Sequence, residues 1–408
     1  MALQRLVYAL KLIAWGGLLN GAWLIARCLH GCFGAALCAA MVLPVGHVRA
    51  QSALTFDFAY TAEVWTSPVG ASSRDARYLD KLDVTLTADM QEAAGWRGAT
   101  LFLYGLYNNG ASISQLTGDA QFISNLETGF PGGAARLYEA WLQQQVGKFS
   151  FKAGFLDLNA EFDVLESADV FLNAAHGIGS ALGLSGRNGP SIFPIAGLGL
   201  RAFYQVSDGL SVRLAVTEGV PGNVDRPRRT SLSLKDGDGA LVIAEADMAI
   251  PGGKVLLGHW RYTAQFEGFD GGTGRGNNGY YIRAQRQLLG APTTGGHRLN
   301  GFVRFGIADG NTNAYNGFIG AGLVYSGVDG RPDDQLGIAF ATSFASDAFA
   351  QSSGAQGAET SIELTYRWQL TQHLALQPDV QYIFNPSADP TLSNVLALGL
   401  RAKIGFSF

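Results

Sequence analysis

A chain of 408 residues could hold two or three soluble domains, but 54 Gly, 24 Phe, 14 Tyr, 7 Trp and only 15% charged residues favour short strands and tight turns over long soluble helices. A single closed barrel of many strands absorbs this length and composition equally well. The formal charge of −4 leaves no basic excess to attract nucleic acid.

The first fifty residues read as a separate object. They carry Arg5, Lys11, Arg27 and Arg49, no acidic residue, and an apolar stretch over 32–45. This is the pattern of an export leader, with Val48-Arg49-Ala50 as its cleavage site and Gln51 as the first mature residue. Fifty residues is long for such a leader, so either its basic region is extended or translation starts further along. The alternative is a membrane anchor over 6–25, interrupted only by Lys11 and Asn20. Cys28, Cys32 and Cys38 all fall in this segment, so the mature chain carries neither a disulfide nor a thiol site. Leu37 before Cys38 and His30 near Cys32 argue against lipid attachment. Removing the leader leaves 25 basic against 33 acidic residues.

Beyond residue 50 no run approaches eighteen apolar residues, which excludes a helical membrane bundle and leaves a barrel open. Sixteen segments read as strands: 55–66, 78–92, 97–108, 135–146, 148–159, 192–207, 210–219, 239–250, 254–267, 277–288, 297–309, 315–328, 334–346, 357–371, 374–386 and 394–408. Their connections alternate, as a bacterial barrel with short periplasmic turns and longer outer loops requires. The short ones are 93–96, 147, 208–209 and 251–253; the long ones are 67–77, 109–134, 160–191 and 220–238. The rule weakens at 289–296 and 310–314. Over 357–371, Ile362, Leu364, Tyr366, Trp368 and Leu370 form an apolar face opposite Ser361, Glu363, Thr365, Arg367 and Gln369. The last segment repeats this, with Arg401 and Lys403 inward and Phe408 at the end. A soluble β-sandwich has the same period of two, but apolar faces on nearly every strand, opposite faces charged with both signs, favour a transmembrane antiparallel β-barrel of about sixteen strands.

A channel selects by diameter and by the groups on its wall. The longest connection, 160–191, is rich in Gly and apolar residues and is expected to fold inward as a constriction loop; an exposed surface loop is the alternative. Alternation places Glu139, Trp141, Gln143, Gln145, Lys152 and Arg201 inward, then Arg213, Glu245, Asp247, His259, Arg261, Arg283 and Arg304, then Glu363, Arg367, Asp379, Gln381 and Arg401. The foremost pore-lining candidates are Glu139, Trp141, Lys152, Arg201, Arg261, Arg283, Glu363 and Arg367. Planar polar groups that bond adjacent hydroxyls, together with rings that cover C–H faces, suit a sugar path. Mixed charges equally line general diffusion channels.

Enzyme chemistry finds no motif. His176, His259, His297 and His373 lack metal or nucleophile spacing. The run Gly272-Thr273-Gly274-Arg275-Gly276 lacks the following Lys-Ser/Thr of a phosphate loop, and Asp236-Gly237-Asp238-Gly239 lacks the other calcium ligands. No catalytic residue, metal or cofactor is expected.

Several blocks carry a family resemblance. They are Gly95-Trp96-Arg97-Gly98-Ala99, Tyr138-Glu139-Ala140-Trp141-Leu142 with Gly147-Lys148, then Phe162 and Phe171-Leu172-Asn173. The C-terminal block is most specific: Glu363-Leu364-Thr365-Tyr366-Arg367, Leu376-Gln377-Pro378-Asp379-Val380-Gln381-Tyr382-Ile383, Asn385-Pro386 and Gly399-Leu400-Arg401. Across 55–408 the chain resembles the carbohydrate-selective porins of the OprB type. The resemblance implies a sixteen-stranded barrel in the outer membrane of a Gram-negative cell, passing monosaccharides, glucose prominently, down their gradient. Its implied partners are small sugars, outer-membrane lipid and lipopolysaccharide, with the chain as monomer or homotrimer and no nucleic acid. Asn109-Gly110 and Ser67-Pro68-Val69-Gly70 depart from the family pattern, both in outer loops where they bear on substrate identity. A general or anion-biased porin, and a structural outer-membrane protein plugged by 109–134 and 160–191, are the alternatives.

Overall fold

The computed structural model describes residues 53–408 apart from 129–131, 224, 233 and 291–295. The leader expected over 1–50 and its cleavage site lie outside the described residues. Sixteen strands follow: β1 (Leu54–Val69), β2 (Arg77–Asp89), β3 (Ala99–Gly110), β4 (Ala134–Val146), β5 (Phe149–Leu156), β6 (Gly197–Ser207), β7 (Leu210–Glu218) and β8 (Ala240–Ile250). The second half holds β9 (Gly253–Phe266), β10 (Arg275–Leu289), β11 (Arg298–Ala308), β12 (Tyr315–Ser326), β13 (Gln335–Ala345), β14 (Ala358–Gln369), β15 (Leu374–Phe384) and β16 (Val395–Ser407). Each pairs antiparallel with the next, and β1 pairs with β16, so the sheet closes and leaves no edge. Phe408 takes part in that closure, exchanging backbone hydrogen bonds of 2.9 and 3.1 Å with Phe56.

All sixteen expected segments are strands, and the largest boundary differences have local causes. The second strand stops at Asp89 because its carboxylate accepts from the Gln91 N–H at 2.8 Å and caps a one-turn helix, α1 (Met90–Ala94). Gly95 ends that helix at φ 71°, a left-handed conformation that costs glycine nothing. The sixth begins at Gly197, five residues later than expected at 192, since Pro194 has no N–H to donate to a ladder. Connection lengths alternate in the first half, whereas in the second half 309–314 and 327–334 are of similar length.

Outward side chains are apolar around the wall. Val84, Leu103, Leu200, Leu214, Leu257, Ile282, Val303, Leu323 and Ile338 are all exposed, far more apolar surface than water tolerates on a soluble protein. Aromatic rings gather where β5 and β6 meet a short turn, with Phe149 stacked on Tyr204 at 4.4 Å, and near the chain end, with His373 stacked on Phe406 at 4.6 Å. An apolar band bounded by rings is the surface a lipid bilayer requires of a barrel. No helix among the described residues is long and apolar enough to cross a membrane.

Inside, residues 157–196 between β5 and β6 fold back into the barrel through short 3₁₀ turns and α3 (Ser180–Gly183), as expected of the longest connection. Residues 111–128 after β3, which include α2 (Ser114–Thr117), fold inward as well.

Candidate functional site

The long inward loop is bolted to the far wall by buried charge. Asp163 is fully buried and receives Arg283 Nη2 at 2.6 Å and Arg304 Nη2 at 2.9 Å, both arginines being themselves buried. Burial alone would raise the Asp163 carboxyl, but the two guanidiniums outweigh it and hold it below the usual carboxylate range. Glu245 on β8 accepts the Asp163 N–H at 2.8 Å and the Tyr281 hydroxyl at 2.6 Å. Further along, Glu363 on β14 accepts the Leu172 and Asn173 N–H groups at 2.5 and 3.1 Å, and Gln381 on β15 takes the Asn173 amide at 3.0 Å. His176 packs against Phe171 with its ring tilted and the centroids 4.8 Å apart; burial first, and Arg304 second, push its pKa down to about 3, so it stands neutral.

The second inward loop is fixed by carboxylates of its own. Glu127 accepts the Ser114 N–H and Oγ at 3.1 and 2.9 Å and the Ser124 N–H at 3.1 Å. Glu359 on β14 accepts the Ala120 and Gln121 N–H groups at 2.7 and 2.9 Å. The two loops are joined directly, Ala174 N–H donating to the Phe122 carbonyl at 3.0 Å.

A cavity of about 720 Å³ runs between the two loops and the inner wall formed by β16 and β1 to β4. Its lining includes Lys81, Asp83, Tyr104, Tyr138, Asp157, Arg401 and Lys403. Thr61 on β1 pairs with both Lys81 and Lys403, so the two lysines flank one small residue on a single row of the wall. Lys81 pairs with Asp83 at 3.2 Å, Arg401 reaches Glu63, and Tyr138 donates to Asp157 at 2.7 Å. Burial raises the Asp157 carboxyl.

The eight foremost sequence candidates fall into four places, and none of them lines this cavity. Glu139, Trp141, Lys152 and Arg201 are brought together where the long loop leaves β5. Arg201 Nε lies 2.7 Å from Glu161 and its Nη2 donates to Gln143 at 2.8 Å; Lys152 also pairs with Glu161 and sits 3.9 Å over the Trp141 ring. Glu139 accepts the Asp157 N–H at 3.2 Å. Arg283 and Glu363 face inward but hold the loop, and Arg367 faces inward near the turn end, paired across the sheet with Gln335.

Arg261 is a correction, and His259 with it. Leu256 on β9 pairs with Asp247 and Arg283, which face inward, so Arg261, five residues on, faces outward. The inner face of β9 is its apolar one, because Trp260 and Tyr262 pack against Leu158, Phe162 and Leu182 of the inward loop. His259 stacks outside on Tyr280 at 4.4 Å. Reading the apolar face as the lipid face inverts this strand.

Tyr138 escaped the sequence reading for another reason. Tyr104 pairs with Glu139 while Gly105 pairs with Leu137, so Tyr138 is the extra residue of a β-bulge, and both it and Glu139 turn inward. Lys81 and Asp83 were within reach, since they alternate with Leu82 and Val84 along their strand.

A model of the family described as carbohydrate-selective porin, OprB family, matches residues 73–406. The chain belongs to that family. Porin B of Pseudomonas aeruginosa is 25% identical over 399 residues, covering 86% of this chain and 87% of that protein. The high pH structure of Pseudomonas putida OprB superposes with a TM-score of 0.75 at 22% identity, over 87% of this chain and 94% of that one. The low pH structure of the same protein superposes with a TM-score of 0.58 at 21% identity, over 87% and 93%. The chain is therefore a carbohydrate-selective porin, a channel built on a closed sixteen-stranded barrel.

Proposed function

We propose that this porin passes monosaccharides, glucose foremost, and related polyols by passive diffusion across the outer membrane of a Gram-negative cell, after loss of a leader near Ala50. The observation that carries this reading is the composition of the cavity wall. Asp83, Asp157, Lys81, Arg401 and Lys403 offer planar or pointed polar groups to vicinal hydroxyls, and the half-buried Tyr104, backed by the buried Tyr138, offers an aromatic ring. Its volume of about 720 Å³ falls within the range of small-molecule sites, roughly 300–1,000 Å³. Glu139, Trp141, Lys152 and Arg201 act through Glu161 and the Asp157 backbone, setting where the long loop departs and so where Asp157 stands. Arg283 and Glu363 hold the same loop from the opposite wall, and Arg367 faces the turn-end vestibule. Lipid and lipopolysaccharide surround the apolar band, and the barrel works alone or as a homotrimer, without cofactor or metal.

Liposome swelling with purified, heat-modifiable protein tests the reading, comparing glucose with a size-matched polyol and an amino acid. Glucose uptake faster than both controls supports it. Equal rates make the protein a general porin, and no swelling makes it a plugged structural one. Arg201→Ala and Glu139→Ala are expected to change glucose flux severalfold while altering an uncharged solute of equal size less; equal changes would separate these residues from selectivity.

A further inference from the structure

Phe122 stands in the second inward loop with φ 58°, the left-handed region that bulky side chains avoid and glycine enters freely. Its neighbours account for the rigidity of that backbone. Gln121 is tied to β14 by its N–H to Glu359 Oε1 at 2.9 Å and by its side-chain amide to the Glu359 carbonyl at 3.1 Å. Ile123 is buried with Trp65, Leu79 and Leu172, its N–H donating to Ser114 Oγ at 3.1 Å and its carbonyl accepting from Gln381 at 2.8 Å. With both neighbours committed to the wall and the Phe122 carbonyl bonded to Ala174, the remaining side chain is turned the other way. Phe122 is half-buried and lines the cavity. A strained backbone held in place by its surroundings at the wall of a cavity is a reason to look for function there.

We infer that Phe122 is the stacking face of a pyranose-binding subsite inside the channel. A pyranose presents an apolar C–H face and an equatorial belt of hydroxyls. The ring of Phe122 covers the first, while Asn125, Asn159, Asp157 and Lys403, which line the same cavity, surround the second. An open-chain hexitol of the same heavy-atom count has no fixed C–H face and gains nothing from the ring. The inference rests on the sugar-channel reading and adds to it a residue that discriminates ring form.

Glucose and sorbitol uptake are compared in liposomes for wild type, Phe122→Gly and Phe122→Tyr, with glucose-induced current noise in single channels as the binding readout. Gly suits the backbone at this φ, so that variant is expected to fold, which the heat-dependent gel shift checks. The wild-type preference for glucose over sorbitol should fall about fivefold in Phe122→Gly, with loss of the current noise, and survive in Phe122→Tyr. A Phe122→Gly channel that keeps the wild-type ratio overturns the subsite while leaving the sugar-channel reading intact. A wild type without glucose preference overturns both.

Discussion

The inner wall has two sides with similar residues and different surroundings. From β8 to β15 it carries Glu245, Arg283, Arg304 and Glu363, and every one of them is buried against a loop. On β16 and β1 to β4 it carries Lys81, Asp83, Arg401 and Lys403, which border a cavity. The same chemistry is committed to a loop on one side and borders a cavity on the other. Facing inward is set by strand alternation; facing the pore is set by where the loops lie. The eight strands from β8 to β15 thus hold the loops, while the five from β16 through β4 border the cavity.

The sharpest way to break this contrast is to cut the strongest bolt. Among the described residues Asp163 alone lies within ion-pair distance of both Arg283 and Arg304, and removing one member of a buried ion pair costs about 3–5 kcal/mol. Asp163→Ala is expected to lower the temperature of the heat-dependent gel shift and to raise single-channel conductance as the loop leaves the wall. Unchanged conductance would mean that the loop keeps its place without this anchor.

The second loop yields a smaller, pH-dependent effect. Burial first, and the Asp119 carboxyl second, push the Glu127 pKa from 4.5 up to about 7. Because the folded state holds this proton more tightly, its stabilisation is complete below the ordinary value and is lost as pH rises through about 7. Thermal midpoints of the wild type should therefore fall between pH 5 and pH 8. Glu127→Gln should remove on the order of 2 kcal/mol of that dependence. Parallel profiles for the two proteins would assign the pH sensitivity to other groups.

How much of this was legible in the sequence depended on which contacts each feature uses. All sixteen strands were readable because alternation and connection length are local, and even Arg401 and Lys403 were correctly turned inward by the rhythm of the last strand. The inward fold of 157–196 followed from its length and composition. The cavity was not readable, because it is whatever the two loops leave unfilled, a long-range property. Tyr138 was hidden by one bulged residue that shifts the register of its neighbours. Asp157 was read inside the strand 148–159, whereas that strand ends at Leu156 and the Asp157 carboxylate accepts the Asn159 N–H at 2.8 Å and opens the loop.

The mildest prediction tests the inverted strand. The rule that apolar means lipid-facing fails on β9, where the inner face is apolar because a loop covers it and the outer face carries the exposed Arg261 in the loop-end half of the strand. An exposed guanidinium there can extend along the wall to the polar zone, so its removal costs within about 0.5 kcal/mol. Arg261→Ala is expected to leave glucose flux, ion selectivity and single-channel conductance at wild-type values. Lys403→Ala, on the cavity wall, should shift the reversal potential in asymmetric salt toward cations, because it deletes a positive charge that the solute path senses directly. If Arg261→Ala moved the reversal potential as far as Lys403→Ala, the outward assignment of β9 would be wrong, and with it the argument that the loop, not the lipid, sets the polarity of that strand.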